Sequence, residues 1–374
     1  MTEFRGPSDE SLPPILSGGH LPALDGLRAC SVFVVMTYHF GLSRVPGDLG
    51  VSAFFVLSGF LITWLLLKEF DRRGTVSLRD FYLRRVLRIF PAYYVFLTFS
   101  LAFDLVRGYG RARGLIVPGF AYLMNYYNAL HGHPTTSIAH AWSLAIEEQF
   151  YLLWPALFLL LSRRSARQGV VTLCALVLLF SAWRTFLFLT GRAGAAYVYN
   201  AFDTRADILA LGCLLAFAVR LPNASRWCAT LTPFPAAPFV TIALLLLSRM
   251  GGSPAYHYSV GFTIDAILLA VLILQLLTLH GSGLWRWLDN PSVRYIGAIS
   301  YPLYLYHTWG GAISRRIVQS GPTEVRIGVA IVISVMLASL SYYIVERPFI
   351  RLKTRVASGR SVSSIRPQPA IEPV

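Results

Sequence analysis

The pattern that dominates this chain is the long apolar run, broken at short intervals by basic or proline-rich stretches. A bilayer-spanning helix needs about 20 mostly apolar residues. Runs of that kind fall at 22–41, 51–67, 89–106, 142–161, 169–190, 205–219, 232–248, 258–280, 295–313 and 325–345. The sixth is short, and the seventh contains Pro233, Pro235 and Pro238. The apolar stretch 115–130 carries Pro118 and Gly119 and reads as interfacial or re-entrant; if it spans, the count becomes eleven. The expectation is an all-α, polytopic membrane protein of about ten transmembrane helices. Residues 1–21 would form a cytoplasmic N-terminal segment, 22–350 the transmembrane domain, and 351–374 a disordered, Ser/Pro/Arg-rich cytoplasmic tail.

Composition agrees. Of 374 residues, 55% are hydrophobic and 14% charged, against about 25% charged in a soluble domain. The net charge of +15 raises the question of nucleic acid, but the basic residues sit between apolar runs rather than on one soluble face, so no nucleic-acid partner is expected. With an even number of spans and the N-terminus inside, the inner segments hold more than twice as many Lys and Arg as the outer ones. That bias places both termini in the cytoplasm. The four cysteines show no paired or metal-ligand spacing and read as small core residues.

Ionisable side chains inside a span cost at least about 2.5–3.5 kcal/mol each near its centre and are therefore functional hypotheses. In the first run, Arg28 and His39 are eleven residues apart. That is close to three helical turns, so both lie on one face about 16 Å apart. Asp25, one turn before Arg28, is placed to pair with it. An alternative is that Arg28 snorkels to the lipid surface. On the inner side, Arg84, Arg85 and Arg88 form one guanidinium cluster on a helix, suited to phosphate or simply to anionic lipid. At the outer start of the fourth run, Ser143, Glu147 and Tyr151 share a face, with His140 just before and Glu148 beside them. The same residues also suit an N-terminal cap. Asp203, Arg205 and Asp207 predict an internal ion pair at the start of the sixth run. Ser300, Tyr304 and His307 lie near one face of the ninth, where interhelical hydrogen bonding is the competing role. No P-loop, nucleophile elbow, zincin or dinucleotide motif is present, which argues against an NTP-driven pump.

Seven pieces occur in order: LDGLRACSVFVVMTYHF, GVSAFFVLSGFLIT, FYLRRVLRIFPAYY, AWSLAIEEQFYLLWP, FDTRADILALGCLLA, ISYPLYLYH and VERP. Together they resemble the acyltransferase-3 membrane proteins, which include bacterial O-antigen and exopolysaccharide O-acetyltransferases. The resemblance covers roughly Leu24 to Arg347. It implies a ten-helix core in the bacterial inner membrane that takes an acyl group, acetyl in the first instance, from acyl-CoA at the cytoplasmic face. The group would pass to a hydroxyl of a carbohydrate or similar acceptor, often on the periplasmic side. By motif, His39 matches the family's proposed catalytic histidine, Arg28 its partner, and Glu147 the usual carboxylate. Arg85 and Arg88 match the arginine pair. Arg84, Ser143, Asp203, Arg205, Tyr304 and His307 are further substrate-binding candidates. Either Glu147 or Asp203 could fix the tautomer of His39, and direct transfer and an acyl-histidine intermediate both stay open. No metal and no bound cofactor are expected; acyl-CoA would be a co-substrate. Some family members carry a C-terminal SGNH-type domain, and none is expected here. The competing class is a transporter of a lipid-linked sugar or small metabolite.

Overall fold

The structure is a computed structural model that describes residues 21–109, 112–250 and 252–351. The N-terminal segment to residue 20 and the tail from 352, both expected from the sequence, lie outside them. The described residues contain helices and no strand. The longer helices are α1 (Pro22–His39), α2 (Gly47–Arg73), α3 (Leu78–Val106), α4 (Trp142–Ser162), α5 (Ala166–Leu189), α6 (Ala206–Ala218), α7 (Ala237–Met250), α8 (Phe262–Leu279), α9 (Ser300–Ile317) and α10 (Thr323–Ser341). They match the ten apolar runs in order.

Six helical stretches are long and apolar enough to cross a membrane, those built on α2, α3, α4, α5, α8 and α10. The helices α6 and α7 are apolar but shorter. Helices α1 and α9 are 18 residues each and dilute their apolar character with the polar side chains singled out above. The chain is thus an all-α, multi-pass membrane protein, and α1 and α9 hold several of the polar residues singled out from the sequence.

Local signals explain several boundaries. Pro22 opens α1, where its missing N–H costs nothing. Ser77 caps α3 by accepting from the Asp80 amide at 3.2 Å, so the whole arginine run is helical. Gly74, at a φ of 67°, ends α2 in a conformation that favours glycine. Two details differ from the sequence reading. The stretch 115–130 forms two short helices, Ile116–Phe120 and Met124–His131, neither long enough to span, which removes the eleventh crossing. The ninth run is broken: Pro291–Ala298 is a separate short helix and α9 begins at Ser300. Gly297 there packs against the Asp25 backbone, so the chain turns where it meets α1.

The core is assembled by close helix pairs. α2 crosses α6 where Gly59 and Gly212 face one another, and a Cβ on either would collide with backbone of the other helix. Small residues allow such approach in a membrane interior, where packing rather than water exclusion drives association. Across α5, α6 and α8 runs a buried polar strut. Arg184 pairs with Asp207 at 2.8 Å and donates to the Ser259 and Thr204 carbonyls at 2.7 and 2.9 Å.

Candidate active site

Helix α1 sets the axis of the site. Its N-terminal half presents Asp25 and Arg28, whose side chains approach to 3.9 Å, and its last residue is His39. Around this helix lie three cavities in series. The first, about 900 Å³, opens at the basic end and is lined by Arg28, Lys68, Arg72, Arg85, Arg88 and Arg220 among others. The second is a narrow chamber of about 80 Å³ that shares Arg28, Ser58, Arg85, Arg88 and Tyr151 with the first and adds Ser143, Glu147, Glu148, Tyr301 and Tyr304. The third, about 1140 Å³, shares Val51 and Tyr304 with the chamber and holds His39, His133, His140 and Arg249 at the opposite end. The arginine pair and the imidazole of His39 therefore line neighbouring cavities that share wall residues.

Each wall is held by specific bonds. The guanidinium of Arg85 lies over the Tyr151 ring at 5.3 Å, a cation–π arrangement that holds its charge beside the chamber. The Ser58 hydroxyl donates to Glu147 at 2.8 Å and accepts from the Tyr151 hydroxyl at 3.1 Å. The three thus form a fixed polar group between α2 and α4. Ser143 and Tyr304 share a hydrogen bond of 2.6 Å across the top of the chamber. Ser143 does not cap α4: the residue before the helix is Ala141 and no side chain caps it. Its hydroxyl serves the tertiary contact instead.

At the outer end, His39 Nδ1 lies 3.0 Å from the Val35 carbonyl and 3.2 Å from His307 Nε2. His307 Nδ1 is 2.6 Å from the Tyr304 carbonyl. A carbonyl only accepts, so both Nδ1 atoms carry hydrogen, and the neutral His307 presents an acceptor Nε2 to His39. His39 Nε2 is left with its lone pair at an exposed side chain. This is the tautomer a general base requires. The His140 ring sits 4.8 Å from that of His307.

Several expected partnerships are replaced. Glu147 does not orient His39: its oxygens are engaged by Ser58 and Tyr151 in the chamber. Asp203 does not either. It accepts from Trp183 Nε1 at 2.9 Å and from Tyr197. Arg205 pairs with neither neighbouring aspartate. Asp207 is taken by Arg184, and Arg205 is fully buried with its guanidinium 3.9 Å from the Phe262 ring centre and 3.3 Å from Ser52. Arg84 turns away from Arg85 and Arg88 to pair with Glu69 at 2.9 Å. For Arg205 and Arg84 the helix pattern gave neighbours along one segment, while the partner comes from another.

The sequence reading passed over Ser58, Asp48 and Arg249. Ser58, like Ser52 and Thr63, is a polar residue in the apolar stretch of α2, a weaker signal than the charged residues used above. Arg249 bridges Asp48 and Asp265 beside the third cavity, a junction of three helices that one-dimensional spacing does not reveal. Among the described residues, no three ligand-type side chains converge on a metal position.

Comparison with known proteins bears on this arrangement. The family model for an acyltransferase domain matches residues 21–344. The chain is 30% identical over 348 residues to the peptidoglycan O-acetyltransferase OatA of Listeria monocytogenes, covering 88% of this chain and 56% of that protein. It is 32% identical over 359 residues to the O-acetyltransferase OatA of Staphylococcus aureus, covering 90% and 58%. A putative peptidoglycan O-acetyltransferase, YrhL of Bacillus subtilis, is 30% identical over 354 residues, covering 88% and 55%. The chain therefore spans little more than half the length of these relatives. No solved structure matches it. With the family model matched across nearly all of the helical region, the chain belongs to the acyltransferase-3 family.

Proposed function

We propose that the protein is an inner-membrane O-acyltransferase that takes an acyl group, acetyl in the first instance, from acyl-CoA at the basic face. It delivers the group to a carbohydrate hydroxyl near His39. The observation that carries this reading is the series of cavities from Arg85 and Arg88 past Arg28 and Glu147 to Tyr304 and His39. The coenzyme's phosphates suit the arginine-lined vestibule, since guanidinium forks bind phosphate in a bidentate manner. The pantetheine arm is thin and uncharged, which suits the narrow chamber.

In the reaction, the acceptor oxygen attacks the thioester carbonyl while its proton moves to His39 Nε2. The tetrahedral intermediate collapses, the C–S bond breaks, and the proton returns from His39 to the departing thiolate. The products are the ester and free CoA thiol. The Val35 carbonyl keeps the imidazole in the required tautomer and His307 steadies the ring, and the Ser143–Tyr304 hydroxyl pair stands beside the path from the chamber to His39. Relatives named as O-acetyltransferases, two of them for peptidoglycan, support a cell-envelope glycan as the acceptor.

The test is acyl transfer by purified protein in lipid, comparing wild type with His39→Ala. Transfer should fall about 10²–10⁴-fold, the usual contribution of a general base. Unchanged turnover would remove His39 from the mechanism.

A further inference from the structure

A fourth cavity, about 330 Å³, lies on the other side of His39. We propose that it is the acceptor subsite and that it takes a single pyranose ring bearing a carboxylate. This rests on the transferase reading above and adds the place and charge of the acceptor.

The argument starts from connectivity. His39, Thr136 and Thr308 line both this cavity and the large one reached from the chamber. The small cavity shares no lining residue with the chamber itself. A donor arriving by the arginine route meets His39 from one side, and this cavity offers the imidazole a second molecule from the other. Its volume is at the lower end of small-ligand sites, which suits one sugar ring rather than a coenzyme.

The lining then selects the chemistry. Phe103 and Trp309 stand edge to face at 4.6 Å. The indole is fixed by its N–H donating to Ser100 at 2.9 Å. Tyr109 adds an aromatic ring that is 46% exposed. Rings of this kind give the C–H faces of a sugar an apolar surface to lie on. Asp104 is buried at 3% exposure, and its Oδ2 accepts from the Ser137 amide and hydroxyl at 3.3 and 2.9 Å. That leaves Oδ1 to accept from a sugar hydroxyl or amide. Arg315 also lines this cavity; it is exposed and forms no ion pair among the described residues. A carboxylate acceptor and an unpaired guanidinium in one aromatic cavity fit a sugar that donates hydroxyls and also carries an anion.

The experiment uses the full chain in proteoliposomes with acetyl-CoA and two soluble probes. One is N-acetylglucosaminyl-N-acetylmuramic acid, which bears a carboxylate. The other is N,N′-diacetylchitobiose, which is neutral. In Arg315→Gln, the KM for the acidic disaccharide should rise about tenfold, as expected for loss of one charge-assisted contact, while that for the neutral one changes less than about twofold. The neighbouring exposed Arg316, which lines none of the four cavities, provides the control: Arg316→Gln should move neither value. Equal effects of Arg315→Gln on both probes, or no effect on either, would overturn the subsite. So would acylation of neither disaccharide by a wild type that still hydrolyses the thioester, with the transferase reading left standing. A wild type that consumes no thioester would bring down that reading itself.

Discussion

His39 Nδ1 lies 3.2 Å from His307 Nε2, so the imidazole at the end of α1 is held by one on α9. The two helices are distant in sequence and neither is apolar enough to rank among the evident spans. Their polar side chains face each other, which is how a membrane interior accommodates such groups.

The consequence for His307 is specific. Replacing it with Ala leaves the Val35 carbonyl as the one remaining partner of His39 Nδ1 given above and removes the ring that packs against the imidazole, at a site where small misplacements cost about 10²-fold in rate. We expect kcat to fall ten- to a hundredfold with the KM for acyl-CoA unchanged, and His307→Gln to recover part of the loss because its amide oxygen can accept from His39. Steady-state kinetics on the two variants check this. A matched rise in KM would point instead to damage of the donor route.

Arg85 and Arg88 predict the opposite split. Both line the vestibule and the chamber, remote from His39. Arg85→Ala or Arg88→Ala should raise the KM for acyl-CoA about tenfold, the size of one lost charged hydrogen bond, with kcat nearly retained. The increase should shrink when dephospho-CoA thioester is the donor. Arg84→Ala, by contrast, removes a partner of Glu69 and should leave the KM close to wild type.

Stability should depend on the Arg184–Asp207 strut. Both side chains are fully buried, and removing one partner strands the other charge, which typically costs about 3–5 kcal/mol. Asp207→Ala should therefore lower the thermal midpoint of the detergent-solubilised protein far more than Asp203→Ala, whose partners Trp183 and Tyr197 are neutral. Equal shifts would show that the strut contributes little.

Much of the fold was legible because spanning length and apolar run are nearly the same quantity, and all ten runs returned as helices. The polar stripe of α1 was legible for a similar reason: Asp25, Arg28 and His39 repeat at helical spacing on one chain segment. Likewise Ser143, Glu147 and Tyr151, read as one face of α4, do line a single chamber. What the sequence withheld was partnership between helices. Arg205 looked paired with the aspartates beside it, but an aromatic ring from α8 claimed it and Arg184 from α5 claimed Asp207. Glu147 looked available to His39, but Ser58 of α2 holds it some way down the path. Periodicity states which residues share a face; it does not state what that face will meet.

The proposed donor route starts at the arginine-lined face and ends at His39. The most direct measurement is release of CoA thiol by protein reconstituted in one known orientation, with acetyl-CoA supplied to one side of the vesicle at a time. Thiol should appear only when the thioester is on the side of Arg85 and Arg88, and should vanish in His39→Ala. Equal release from both sides, or release confined to the side of His39, would contradict the account.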